Sequence, residues 1–113
     1  MHPPVLTLIY QVGCPACEQA KPEFATLMSK QPKLMYRMAD IDQTQVDFPV
    51  PYTPAFFVVM PGGVRYYTDA HEMKGSVTWR KLENWLKKCA ADYDARAAAA
   101  PAQPAGNSVG FWK

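Results

Sequence analysis

Residues 5–41 change character twice, and that change restricts the folds open to the chain. Val5–Val12 is rich in Val, Leu, Ile, Thr and Tyr and stops at Gly13, as a strand does. Pro15 suits the first position of a helix, where its missing N–H leaves no bond unmade. The pattern predicts a helix from Pro15 to about Lys30, with Phe24, Leu27 and Met28 on its apolar stripe. Pro22 lies inside it and predicts a kink, since it removes one backbone donor and crowds the preceding turn. Leu34–Ile41 reads as a second strand. A helix between two nearby strands is a crossover connection, so the two strands should be parallel.

Downstream the signals are those of a hairpin and a helix. Asp42–Thr53 carries Pro49 and Pro51 and reads mostly as loop. Ala55–Met60 is apolar at every position, the pattern of a strand buried on both faces. Pro61-Gly62-Gly63 marks a tight turn, and Val64–Thr68 is the returning strand. Thr78 can cap a last helix, on which Trp79, Leu82, Leu86, Cys89 and Tyr93 share one face. An α/β fold follows: a four-stranded mixed sheet in the order β-α-β-β-β-α, with helices packed on it. Residues 1–94 form one domain. Residues 95–106 contain ten Ala, Pro or Gly, too little apolar surface to offset ordering entropy, and read as a linker. Phe111 and Trp112 follow in a short aromatic tail.

Charge and hydropathy exclude some functions. A net charge of +2 offers no broad footprint for nucleic acid. No apolar run approaches the roughly 18 residues of a membrane span. Met1-His2-Pro3-Pro4 lacks the charged start of a secretion signal, so a cytoplasmic location is expected.

The chemistry lies in Cys14-Pro15-Ala16-Cys17 at the first strand-to-helix junction. Disulfide exchange needs a thiolate, and a free thiol with pKa about 8.5 is mostly protonated at pH 7. The unpaired N–H groups and positive dipole end of a helix N-terminus favour the anion at Cys14. Cys17, one turn later, is placed to resolve a mixed disulfide. Pro15 and Ala16 tune the pair by setting the helix start and keeping the site apolar. Zinc would need four ligands as a rule, and only Cys89, His2 and His71 remain, none at paired spacing; no metal is expected. Cys89 lies on the apolar stripe and reads as core. His71 reads as a solvated loop residue. A cis bond before Pro54 would present the N–H and C=O of Thr53 beside Cys14, where an extended substrate chain can pair with them.

These residues together resemble the thioredoxin superfamily over about residues 5–90. Cys14 and Cys17 match its C-x-x-C, Pro22 the proline five residues later, Ile41-Asp42 the end of the next strand. Pro54 matches its cis-proline, Gly62 or Gly63 its hairpin glycine, and Gly75 the glycine before the last helix. There are departures. Thioredoxins carry a further N-terminal strand and helix; the trimmed start and Gly13-Cys14-Pro15 are closer to glutaredoxins. The thioredoxin buried acid and its lysine partner map to Leu8 and Met38, so their proton relay is expected to be missing. Asp69–Gly75 lacks the Gly-rich acidic turn with which glutaredoxins hold glutathione.

The resemblance implies an enzyme, a thiol-disulfide oxidoreductase acting on protein disulfides. Its redox-active disulfide is Cys14–Cys17, with electrons from a reductase or glutathione and no other cofactor. The contrasting reading is a thioredoxin-like adaptor, docked to a larger assembly through a protein partner for residues 107–113.

Overall fold

A computed structural model describes residues 3–68, 73 and 75–99. Strand β1 is Val5–Tyr10, helix α1 Pro15–Lys30, β2 Met35–Asp40, β3 Ala55–Val59, β4 Arg65–Tyr67 and α2 Trp79–Ala99. The strands form one sheet in the order β2-β1-β3-β4. β1 and β2 are parallel, whereas β3 is antiparallel to both β1 and β4. The β-α-β-β-β-α order and the mixed sheet agree with the sequence reading.

Both helices pack on the same face of the sheet. Leu6 and Leu8 of β1 and Phe56 and Val58 of β3 meet Ala20, Phe24 and Leu27 of α1 and Leu82, Trp85, Leu86 and Cys89 of α2. Phe24 sits where these elements converge. Its ring meets Tyr36 edge-on at 5.6 Å and lies 6.2 Å from Phe56. Tyr36 donates its hydroxyl to the Gln31 carbonyl at 2.6 Å, and burial pushes its phenol up to about 12, so it remains a donor at working pH.

The opposite face is covered differently. Phe48, from the segment between β2 and β3, lies across it, 5.1 Å from Phe57 and 4.6 Å from Tyr67. This corrects the expectation for Ala55–Met60. Phe56 and Val58 are buried but Ala55, Phe57 and Val59 are only half-buried, because neither described helix lies over their side. An unbroken apolar run cannot report how completely each face is covered.

Other boundaries differ by short stretches. β1 stops at Tyr10, two residues early, because the chain turns there and Val12 stands 73% exposed. Pro61–Gly63 forms one 3-10 turn with Gly62 at φ 86° and Gly63 at φ 89°, a left-handed conformation that glycine alone adopts without strain. α1 runs through Pro22 as one 16-residue helix. Its buried stripe is Cys17, Ala20, Phe24 and Leu27; Met28, expected there, is 40% exposed. Thr78 caps α2, its hydroxyl accepting the Lys81 N–H at 3.2 Å. α2 continues through Ala99, so residues 95–99 of the stretch read as linker are helical. Alanine is the best helix former, and Arg96 pairs with Asp92 one turn back at 2.8 Å.

Candidate active site

The site begins with a turn. After Tyr10 the chain bends through Gly13, whose φ of +85° lies in the left-handed region, and the Cys14 N–H returns to the Gln11 carbonyl at 3.2 Å. Cys14 then takes an extended conformation and becomes the N-cap of α1, with Pro15 at the first helical position. Its sulfur replaces the usual capping oxygen: the Cys17 N–H donates to Cys14 Sγ at 3.1 Å. The first turn of the helix therefore directs a donor at this sulfur, shared with the Cys14 carbonyl, which accepts the same N–H at 3.1 Å.

The two cysteines differ in exposure for a reason visible in their spacing. Cys17 is three residues before Ala20 and seven before Phe24, which sets it on the buried stripe, and it is fully buried. Cys14 lies at the rim and is only half-buried. They are joined as a disulfide with their Cα atoms 5.2 Å apart.

Thr53 and Pro54 reach this rim from the end of the long segment before β3. The Thr53–Pro54 peptide is cis. The Thr53 carbonyl oxygen lies 3.7 Å from Cys14 Sγ, and the Thr53 hydroxyl donates to the same sulfur at 3.6 Å. Tyr52 braces the segment by donating its hydroxyl to the Thr68 carbonyl at 3.2 Å. Beside the cysteines runs a groove of about 260 Å³, with Ala16 and Gln19 on one wall, Thr53 and Pro54 on another, and Gly75 and Val77 on a third. Tyr52 and Met73 complete it. Among these lining residues, Gln19, Met73 and Val77 were not legible in the sequence. Nothing within a few residues of Gln19 distinguishes it from a solvated helix residue.

The remaining sequence candidates fall as follows. Leu8 and Met38 are direct neighbours in the β1–β2 register, Leu8 fully buried and Met38 48% exposed. Neither ionises, so that position supplies no proton. Glu18 pairs with Lys21 at 2.9 Å, and the Lys21 ammonium also lies 4.7 Å from the centre of the Tyr10 ring. Cys89 is a buried thiol outside the disulfide, within the core. Among the described residues, no three His, Cys, Asp or Glu side chains gather as metal ligands would. No described helix is long and apolar enough to cross a membrane. His2, His71, most of Asp69–Gly75 and the 107–113 tail lie outside the described residues. A second groove, of about 580 Å³, lies between Phe48 and the helix-free sheet face, with Thr7, Arg37 and Phe57 in its lining. No cysteine or histidine is among its described lining residues.

No family model and no curated protein matches the sequence. Solved structures do match the fold. A malarial protein superposes with a TM-score of 0.61 at 16% identity, over 76% of this chain and 96% of that one. The thioredoxin of Fasciola hepatica gives 0.59 at 16% identity, over 77% of this chain and 81% of its own. The first thioredoxin domain of mouse protein disulfide-isomerase A4 gives 0.57 at 22% identity, over 75% of this chain and 61% of that one. The chain has a thioredoxin-like α/β fold, with a C-x-x-C pair at the first helix.

Proposed function

We propose that this thioredoxin-fold chain is a thiol-disulfide oxidoreductase that uses Cys14 and Cys17 to reduce or exchange protein disulfides. The observation that carries the reading is the unequal placement of the two sulfurs. Cys14 caps a helix at the rim of a groove, and Cys17 is buried one turn behind it.

In the reduced protein, the Cys17 N–H and the Thr53 hydroxyl are positioned to donate to a Cys14 thiolate. Hydrogen bonds to an ionised acceptor are among the stronger ones, and they favour the anion over the thiol. The thiolate attacks one sulfur of a substrate disulfide. The attacked sulfur becomes bonded to Cys14, the substrate S–S bond breaks, and the other substrate sulfur leaves as a thiolate that takes a proton from solvent. Cys17 gives up its proton and attacks Cys14 Sγ. The Cys14–Cys17 disulfide forms, and the second substrate sulfur leaves and is protonated. The substrate gains two electrons and two protons: the protein supplies both electrons and the Cys17 proton, and solvent supplies the other proton, equivalent to the one Cys14 gave up on ionising. A reductase or glutathione returns them to the protein, with no further cofactor. Run backwards, the same steps oxidise a dithiol.

Thr53 and Pro54 present one edge to a substrate chain in the groove, in the manner of strand addition. Pro15 and Ala16 set the helix start and leave no charge between the sulfurs, which tunes the potential. Because Leu8 and Met38 cannot relay protons, the Cys17 proton passes to solvent or to the departing substrate sulfur.

The test is a redox titration of the isolated protein in graded dithiol–disulfide buffers, with free thiols trapped by alkylation and read by mass. Cys14 and Cys17 are expected to interconvert as one two-electron couple between about −270 and −120 mV, the lower end marking a reductant and the upper an oxidant. A pair that stays reduced throughout sinks the reading. Thr53→Val is expected to slow alkylation of Cys14 at neutral pH by roughly two- to fivefold. It removes one donor to the anion, and the higher intrinsic nucleophilicity of a more basic thiolate offsets part of the loss. A rate equal to wild type would remove the hydroxyl from this role.

A further inference from the structure

The third wall of the groove is held by a contact that spans the chain. Gln19, on the first turns of α1, donates its side-chain amide to the Val77 carbonyl at 2.8 Å and accepts the Val77 N–H at 3.1 Å. One helical turn further on, Glu23 accepts the Trp79 N–H at 3.0 Å. Two residues four apart on the cysteine-bearing helix thus grip the segment that leads into α2. Gln19 uses its amide as a strand uses a peptide group, meeting both backbone groups of one residue. Both polar groups of Val77 are therefore occupied, although Val77 lines the groove. Along this groove Gln19 holds the Gly75–Val77 side in place, and Val77 itself offers no free backbone edge. An extended substrate is left to pair on the Thr53 side.

We propose that Gln19 is a positioning residue for substrate: it fixes the Gly75–Val77 wall at the spacing an extended peptide disulfide requires, and directs backbone pairing to Thr53. The proposal rests on the oxidoreductase reading. Gln19 touches neither sulfur in any described contact, so it acts on peptide recognition and leaves the redox couple alone.

Gln19→Met keeps the length of the side chain and removes both bonds. Gln19→Glu keeps the acceptor for the Val77 N–H and loses the donor to its carbonyl. Full-length variants are assayed with a synthetic extended peptide containing one disulfide and with a small aromatic disulfide. For Gln19→Met, KM for the peptide is expected to rise about three- to tenfold with kcat within about twofold, since only part of the worth of the two lost hydrogen bonds is passed on to peptide binding. The ratio of kcat/KM, peptide over small disulfide, falls by the same factor. Gln19→Glu is expected to lie between wild type and Gln19→Met. The Val77 amide is expected to exchange its hydrogen about tenfold faster in Gln19→Met, and the midpoint potential of Cys14 and Cys17 to stay at the wild-type value.

Faster Val77 exchange with an unchanged KM would make the clamp purely structural and overturn the proposal. So would unchanged Val77 exchange. A shifted midpoint potential would assign Gln19 to the sulfurs and overturn it as well. A wild-type protein unable to reduce either disulfide overturns the oxidoreductase reading and this proposal with it, whereas a working wild type with indifferent variants overturns this proposal alone.

Discussion

Cys14→Ser is expected to lower disulfide reduction by about a thousandfold or more while the protein remains folded. The size follows from chemistry. A serine hydroxyl stays protonated at neutral pH, and its oxygen cannot form the Cys14–substrate disulfide through which the exchange runs. The fold should persist, because Cys14 is at the rim and a serine oxygen caps a helix as well as sulfur does. Cys17→Ser should behave differently. It retains the attacking thiol and loses the resolving one, so a Cys14–substrate disulfide should accumulate as a species of added mass. Denaturing mass spectrometry without reductant distinguishes the two variants. If Cys17 were the residue trapped with substrate in Cys14→Ser, the assignment of roles would be reversed.

Phe24→Ala is expected to cost about 3–5 kcal/mol of stability, the range for removing a buried aromatic ring and leaving a cavity. Phe24 is 2% exposed and links α1 to both Tyr36 and Phe56, so no single neighbour can move in to fill the space. A domain near 100 residues loses roughly 4–8 °C of Tm per kcal/mol, so a fall of at least about 12 °C is expected. That is a large share of a total stability of about 5–15 kcal/mol. Thermal unfolding followed by far-UV circular dichroism measures it. A cost under about 1 kcal/mol would contradict the packing of α1 on the sheet. Because Cys14 lies outside this core, the folded fraction of the variant should keep its redox couple.

Much of this site was legible because its signals are short-range. Helix start, N-cap and C-x-x-C all fall within four residues, and a cap works through bonds to N–H groups two or three positions on. The apolar stripe of α1 recurs at three and four residues, so Phe24 and Leu27 are legible within one helix, although what they pack against is not. Thr78 is legible for the same reason: its hydroxyl bonds only three residues ahead. The errors come from signals that do not encode coverage. Ala55–Met60 is apolar throughout whether one face is covered or both, and the alanines of 95–99 suit a helix as readily as a linker.

The sequence by itself determined the strand and helix order, the place of Cys14 at a helix start with Cys17 one turn later, and the cap at Thr78. Only the tertiary structure decided that both helices share one sheet face. It also brought Thr53 to Cys14 across 39 residues and locked Gln19 onto Val77 across 58. The physical reason is the range of the forces involved. Propensity, capping and periodicity act within about one helical turn, so they can be read from neighbours in the chain. Contacts between distant segments depend on sheet register and on close-packed side chains, which exist only once the whole core is assembled.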